Sequence, residues 1–192
     1  MYKQGRSLGN QLKIFVPAIV ALCKDAQDAG TKVWFLGRDC DVFYEAFRSR
    51  YNVGYITGLN RENAKRLQHR RKLVKWLKSI GVKPGDILID SGYSGSIYKR
   101  IQRDNPSFFK NIRCILLTGN LDGYTGEAAF TCSSGSVYRH IILALEHSPK
   151  REVCEWDYDK RKPIVKKADP KMLYQAKKFF KGCSNALKEA IM

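Results

Sequence analysis

A turn rich in glycine and serine joins a predicted strand to a predicted helix in the middle of the chain. Residues 87–90 form an apolar run that ends on Asp90, and "SGYSGS" follows before a helical pattern begins. Glycines let backbone N–H groups point into one concavity, where the start of a helix adds partial positive charge. The Ser94 and Ser96 hydroxyls can donate to phosphate oxygens, and Asp90 can accept hydrogen bonds from sugar hydroxyls. The turn therefore predicts a sugar-phosphate site, and the alternative is a tight turn that only caps the helix. The candidate binding residues are Asp90, Ser91, Gly92, Tyr93, Ser94, Gly95 and Ser96.

A second group of polar residues follows the first predicted strand. Arg38, Asp39 and Asp41 come directly after "KVWFLG" at 32–37. Arg38 can bind phosphate through two N–H groups, and Asp39 or Asp41 can bind Mg²⁺, with Asp90, or act as acid or base. The alternative is an Arg–Asp ion pair with Asp41 as a helix N-cap. Ligands of parallel sheets bind beyond the carboxyl ends of the strands, so we expect Arg38 and Asp90 to face one cleft.

The hydrophobic pattern predicts the elements that hold these turns. Strands are expected at 32–37, 53–57, 87–90 and 112–119, and helices at 8–29, 42–51, 60–81 and 95–105. This alternation predicts a three-layer α/β fold with a mainly parallel sheet and helices on both faces. Residues 120–136 are expected to hold a hairpin or a lid, residues 137–148 an apolar helix, and residues 151–170 irregular structure. We assign 1–150 to an α/β domain of phosphate-binding type, and 151–192 to a basic linker and C-terminal helix that packs on the domain or extends from it.

The excess of positive charge indicates an anionic partner. The chain has 35 Lys and Arg against 18 Asp and Glu, a net charge of +17. Such a surface attracts polyanions such as nucleic acid. One basic run covers residues 61–78, with Leu67, Leu73, Val74 and Leu77 on its predicted buried side, and a second run at 160–167 is a candidate docking tail. An ordinary solvated face is the alternative for both. The candidate nucleic-acid contacts are Lys65, Arg66, Arg70, Arg71 and Lys75.

The cysteines and apolar runs bound the cellular setting. None of the six cysteines forms a CxxC pair, which argues against a zinc ribbon and favours free thiols in the cytoplasm or another reducing compartment. The apolar stretch near the N-terminus contains Lys13 and Pro17 and is not expected to be a signal peptide. No apolar run reaches the roughly 20 residues of a membrane-spanning helix.

The turn at 90–96 resembles the phosphate loop of type I phosphoribosyltransferases. In that family an apolar strand ends in acids, and a Thr-Gly turn holds the 5′-phosphate of phosphoribosyl pyrophosphate. The resemblance assigns ribose binding to Asp90, matches Ser94 and Gly95 to the Thr-Gly pair, and makes Ser96 the next donor. It implies a phosphoribosyltransferase-like, Rossmann-like core and a phosphorylated sugar or nucleotide as ligand, with transfer or cleavage at the sugar. The family usually carries two adjacent acids, whereas Ile89 precedes Asp90 here.

The "DCD" at 39–41 is similar to the Asp-x-Asp motif of haloacid-dehalogenase-type phosphohydrolases. That resemblance makes one acid a nucleophile and the other a proton donor, with Thr57, Lys83 and Asp90 in the later motifs. A phosphohydrolase that uses Asp39 and Asp41 is therefore the alternative enzyme. In this chain Gly37 and Arg38 intervene between the strand and the first acid.

Residues 8–150 also resemble a poorly characterised family of α/β domains that are often joined to hydrolase domains of that second type. Its motifs, FLxRDG, DxGxxGS/T and a Glu- and Ser-containing segment, look like "FLGRDC", "DSGYSGS" and "LALEHSPK" here. The last motif makes Glu146 and His147 candidates for the site edge, together with Thr57. A third hypothesis, from a different class, is a non-catalytic basic module that binds nucleic acid or an assembly partner.

Overall fold

The computed structural model describes residues 1–37, 39–57, 59, 67–92, 94–120, 126–133, 135–147, 149, 152–157, 162–167 and 169–192. The helices are α1 (Tyr2–Leu12), α2 (Val16–Asp28), α3 (Asp41–Phe47), α4 (Leu67–Ser79), α5 (Ser96–Asp104), α6 (Pro106–Phe109), α7 (Val137–Glu146) and α8 (Pro170–Ile191). The strands are β1 (Val33–Leu36), β2 (Val53–Ile56), β3 (Ile87–Asp90), β4 (Arg113–Asn120), β5 (Glu127–Cys132), β6 (Glu152–Asp157) and β7 (Lys162–Lys167).

Five strands form one parallel sheet in the order β2-β1-β3-β4-β5. Val33 of β1 pairs with Val53 of β2 on one side and with Ile87 of β3 on the other. Strands β1 and β3 read as continuous apolar runs because helices cover both faces of a sheet of this kind. The predicted α/β fold with a parallel sheet is confirmed.

Two layers of helices cover the sheet. Phe35 of β1 and Ile89 of β3 face a core that also contains buried side chains of α1, α2, α3, α7 and α8. Trp34 and Leu88 face the opposite way, into a second core with α4, α5 and α6. The predicted C-terminal helix therefore belongs to one of the two helical layers, because Phe179 and Phe180 of α8 share the first core with β1.

Helices α1 and α8 pack with unusually close backbones. A methyl group placed on Gly5 would lie 2.0 Å from the carbonyl oxygen of Phe179, and one on Gly182 would lie 2.3 Å from the carbonyl oxygen of Tyr2. At Gly9 the corresponding distance to the carbonyl oxygen of Cys183 is 2.6 Å. Each of these contacts is with backbone, which no side-chain rotation can relieve, so glycine is required at the three positions.

The N-terminal helix differs from its prediction. One helix was expected over 8–29, but α1 begins at Tyr2, and a 3₁₀ turn at Lys13–Phe15 separates it from α2. Pro17 explains the break, since a proline has no N–H for the helical bond and its ring crowds the carbonyl four residues earlier. The prediction of Asp41 as an N-cap is also wrong, because Cys40 occupies that position and Asp41 is the first residue of α3.

The segments after β4 differ most from the sequence prediction. A hairpin or lid was expected at 120–136, but β5 extends the sheet as a fifth parallel strand. Irregular structure was expected at 151–170, but β6 and β7 form a two-stranded antiparallel sheet. The adjacent β-branched residues Ile164 and Val165 in "KPIVKK" are a strand signal that the basic composition obscured. Among the helices within the described ranges, none combines the length and the apolarity needed to cross a membrane.

Candidate functional site

The carboxyl ends of β1 and β3 lie side by side at the centre of the sheet. Helix α3, which follows β1, packs on one face of the sheet, whereas α5, which follows β3, packs on the other. The two connections therefore diverge and leave a crevice between the strand ends. In doubly wound folds with the strand order 2-1-3-4-5, ligands bind at this point. We call this crevice the β1–β3 crevice.

A hydrogen bond joins the two strand ends across the crevice. The hydroxyl of Ser91, at 1% exposure, donates to Oδ2 of Asp39 over 3.4 Å. Cys40 is fully buried next to this pair. Burial raises the pKa of the Cys40 thiol well above its ordinary value, and the nearby charges of Asp90 and then Asp39 raise it further. Asp39 and Asp90 therefore both lie close enough to this thiol for their charges to raise its pKa.

Asp41 makes a hydrogen bond to β2. It is 4% exposed and accepts this bond from the hydroxyl of Tyr55. The Tyr55 ring stacks on that of Tyr44 in α3, with centroids 5.0 Å apart and an angle of 23° between the planes. This arrangement ties α3 to β2, and it gives Asp41 a structural partner that the sequence did not indicate.

The turn after β3 is held by glycines and by one buried threonine. A methyl group on Gly92 would lie 2.8 Å from Oδ2 of Asp90 and 2.9 Å from Cδ2 of Leu116, so a side chain at position 92 would displace the Asp90 carboxylate or the Leu116 side chain. Thr118 of β4 is buried, and its hydroxyl donates to the carbonyl of Gly92 over 3.1 Å. Sequence reasoning missed Thr118, although a lone hydroxyl inside the apolar run "ILLTG" was a usable signal.

The start of α5 presents backbone donors. Gly95 is the N-cap residue, has a φ of +62° in the left-handed region, and provides no side-chain cap. The first N–H groups of a helix have no partner within the helix. Those of α5 lie at the end of the sheet where β3 terminates, because α5 begins six residues after Asp90. Ser94 is exposed and Ser96 is half-buried beside these donors. This geometry suits an anion at residues 94–96.

The remaining predicted residues are distributed as follows. Thr57 follows β2 at the same edge of the sheet, with its Cα 3.1 Å from a methyl position on Gly37. Glu146 is the last residue of α7, and the exposed His147 follows it. Both lie at the C-terminal end of α7, roughly 15 Å from its N-terminal end, which is the end that follows β5. Arg38 and Tyr93 lie outside the described residues, so the expected approach of Arg38 to Asp90 stays a prediction.

The predicted nucleic-acid contacts fall mostly outside the described side chains. Lys65 and Arg66 lie outside the described residues. Arg70 and Arg71 belong to α4, and only their backbone is described, whereas Lys75 of that helix is exposed. The predicted buried side of this helix agrees with the structure at Leu73, Val74 and Leu77, which are buried.

Two carboxylates at the crevice fit one mode of Mg²⁺ binding. Over the part of the chain that the structure describes, no three His, Cys, Asp or Glu residues are grouped as ligands of a metal ion. Mg²⁺ in nucleotide sites is commonly held by one or two carboxylates, with water and substrate phosphates completing the shell. Asp39 and Asp90 suit that mode, in which the metal arrives with a phosphorylated ligand.

In comparisons with known proteins, no family model, no curated protein and no solved structure matches this chain.

Proposed function

We propose that the protein binds a phosphorylated sugar or a nucleotide in the β1–β3 crevice, in the manner of a phosphoribosyltransferase. The observation that carries the proposal is the hydrogen bond from Ser91 to Asp39, which joins the residue after Asp90 to the turn that follows β1. The uncapped start of α5 lies on the same turn, only a few residues after Asp90. An anion-binding turn adjacent to two carboxylates matches a ligand that carries both phosphate and hydroxyl groups.

Each part of the ligand has a counterpart in the site. The phosphate would bind the backbone N–H groups that open α5, together with the hydroxyls of Ser94 and Ser96. The sugar hydroxyls would donate to Asp90. Mg²⁺ bound to Asp39 and Asp90 would neutralise the phosphate charge that these acids would otherwise repel.

Chemistry at the sugar is the reaction that this arrangement supports best. Breaking a glycosidic bond builds positive charge at the anomeric carbon, and a nearby carboxylate stabilises that charge. Asp39, next to Ser91, would supply it. The alternative phosphohydrolase requires Asp39 and Asp41 to act together, and the hydrogen bond of the buried Asp41 to Tyr55 weighs against that pairing.

Ligand-dependent thermal stabilisation tests the proposal. Phosphoribosyl pyrophosphate, ribose 5-phosphate, a nucleoside monophosphate and inorganic phosphate are compared with and without Mg²⁺. A ligand at one hundred times its Kd stabilises by about 2.7 kcal/mol, which corresponds to a Tm rise of roughly 5–10 °C. We expect a sugar phosphate to raise Tm more than phosphate alone.

Variants separate binding in the crevice from binding elsewhere. Asp90→Asn is expected to abolish the effect of the sugar phosphate, while the matched variant Asp28→Asn, at an exposed position on α2, retains it. If no sugar phosphate raises Tm at millimolar concentration, or if Asp90→Asn responds like wild type, the proposal fails. Phosphate release that depends on both Asp39 and Asp41 would favour the phosphohydrolase instead.

We also propose a cellular setting and a class of partner, from the cysteines and the net charge. The described cysteines Cys23, Cys40, Cys114 and Cys183 are free and buried, which supports function in the cytoplasm or another reducing compartment. The net charge of +17 supports a nucleic acid or other polyanionic partner, with Lys75 on α4 as one exposed contact. A purely non-catalytic basic module would bind such a partner and give no response to sugar phosphates.

A further inference from the structure

Helix α8 carries a straight stripe of positive charge on its outer side. One face of the helix shows residues at intervals of three or four: Lys171, Tyr174, Lys178, Lys181, Asn185 and Lys188. The four lysines are exposed, and Asn185 is half-buried. Residues at these intervals share one face of a helix. At about 1.5 Å per residue the stripe is roughly 25 Å long, which is long enough to follow several phosphates of a nucleic-acid strand.

Helix α1 completes a groove along this stripe. Met1, Tyr2 and Lys3 line it from α1, and Lys178 and Lys181 line it from α8. The groove encloses about 560 Å³, within the range of about 300–1,000 Å³ that is usual for sites that hold small organic groups. The close contact through Gly5 and Gly182 fixes its width. We call this surface the α1–α8 groove.

Little negative charge opposes these cations. Helices α1 and α8 contain seven Lys or Arg residues and one acid, Glu189. Glu189 pairs with Arg6 over 2.8 Å and approaches Lys13 at 3.6 Å, so it is already engaged. Within the described part of the chain, no salt bridge is found for Lys178 or Lys181. The field of the groove is therefore positive along its whole length.

Aromatic rings accompany the lysines. Tyr174 is 59% exposed, and the ammonium of Lys178 lies over its ring, 4.4 Å from the centroid. Tyr2, which lines the groove, is 37% exposed and accepts a hydrogen bond from the side chain of Asn185. Exposed aromatic rings between lysines are the pattern by which proteins bind single strands, since bases stack on the rings while phosphates contact the cations.

We propose that the α1–α8 groove binds single-stranded nucleic acid. An anionic membrane is the competing partner for a basic helical surface, but an interfacial helix inserts a free apolar face. The apolar face of α8 is occupied inside the protein, where Phe179, Phe180 and Leu187 belong to the core. The partner is therefore recognised through charge and stacking, at a surface separate from the β1–β3 crevice.

Fluorescence anisotropy with a labelled 20-nucleotide single strand, read between 50 and 200 mM salt, tests this assignment. The triple variant Lys171→Gln, Lys178→Gln, Lys181→Gln is expected to lose at least tenfold in affinity at 50 mM salt. Its salt slope is expected to fall by about 2, since each phosphate contact on a single strand contributes about 0.7. A matched triple variant of exposed lysines elsewhere, Lys24→Gln, Lys83→Gln, Lys110→Gln, keeps the net charge equal and is expected to stay within twofold of wild type.

Two further measurements distinguish the partner. Tyr174→Ala is expected to lose about fivefold in affinity for the single strand, whereas Tyr174→Phe retains it. Equal losses in both triple variants, or no binding by wild type at 50 mM salt, would overturn the proposal. So would binding to phosphatidylserine vesicles without binding to the oligonucleotide. Preference for a duplex, with Tyr174→Ala unaffected, would refute the single-strand assignment.

Discussion

Replacing Gly5 by alanine sets two physical effects against each other. Helix propensity alone predicts that the alanine stabilises α1 by about 1 kcal/mol. The structure predicts the opposite, because the new methyl group would lie 2.0 Å from a backbone oxygen of Phe179 and 2.8 Å from its carbonyl carbon. Neither atom belongs to a side chain that can rotate away, so the whole helix must move.

The size of the loss can be worked out from that movement. Ordinary contact starts near 3.4 Å, so α1 must retreat from α8 by about 1.4 Å. Leu8 and Leu12 of α1 are buried in the shared core, and a gap of about 0.5–1 Å already forfeits a quarter to a half of the contact energy, so their loss is at least of that order. With about 1.5–3 kcal/mol for burying each leucine and a similar cost for the strain, we expect a net loss of about 3 kcal/mol.

Urea unfolding followed by circular dichroism measures this loss. For a slope near 2 kcal/mol/M, the midpoint of Gly5→Ala is expected to fall by about 1.5 M. Ser7→Ala is the matched control, since Ser7 is exposed on the same helix and is expected to gain a few tenths of a kcal/mol from propensity. If Gly5→Ala is also more stable than wild type, the close packing of α1 on α8 is refuted.

Three other predictions concern buried groups. Asp86, fully buried, accepts from the indole N–H of Trp34 over 2.8 Å and from the backbone N–H groups of Lys32 and Lys83. Asp86→Ala should therefore cost at least about 3 kcal/mol, and a urea midpoint equal to that of Asp28→Ala would contradict this. Tyr98→Phe removes a 3.0 Å bond to the carbonyl of Leu88 and should cost about 1 kcal/mol in the same assay. Burial raises the pKa of the described thiols, so at pH 8 at most two of the six cysteines should react with Ellman's reagent before unfolding. Because the folded thiols hold their protons more tightly than the unfolded ones, stability should decline as the pH rises above about 9, and a flat profile would count against their burial. The pKa of the Cys40 thiol is raised well above its ordinary value, and burial raises the pKa of Cys23, Cys114 and Cys183 to about 12 each.

The sequence alone was sufficient to predict the strands at the centre of the sheet. The continuous apolar runs at β1 and β3, each followed by a turn and an amphipathic helix, predicted both strands, whereas the expected approach of Arg38 to Asp90 stays a prediction. Strand β5 was missed for a physical reason. Six residues separate it from β4, a spacing typical of antiparallel hairpins, whereas parallel pairs usually need a dozen or more.

The contacts that shape the site were harder to predict from the sequence. Nothing local to Asp41 indicated that it accepts from Tyr55, because the two residues are brought together only when β2 pairs with β1. The role of Gly5 and Gly9 was equally hidden. Two glycines in a helix reduce its propensity, and their benefit appears only when the partner helix, more than 160 residues later in the chain, is in place.

The pairing of α1 with α8 also constrains how the polypeptide is made. While the ribosome is still translating the residues between them, the glycine-lined side of α1 has no partner helix. Contacts between distant parts of a chain form late and slowly, and surface exposed in the meantime invites chaperones or aggregation. The helical layer that contains α1 and α8 is therefore expected to be complete only after α8 has emerged from the exit tunnel.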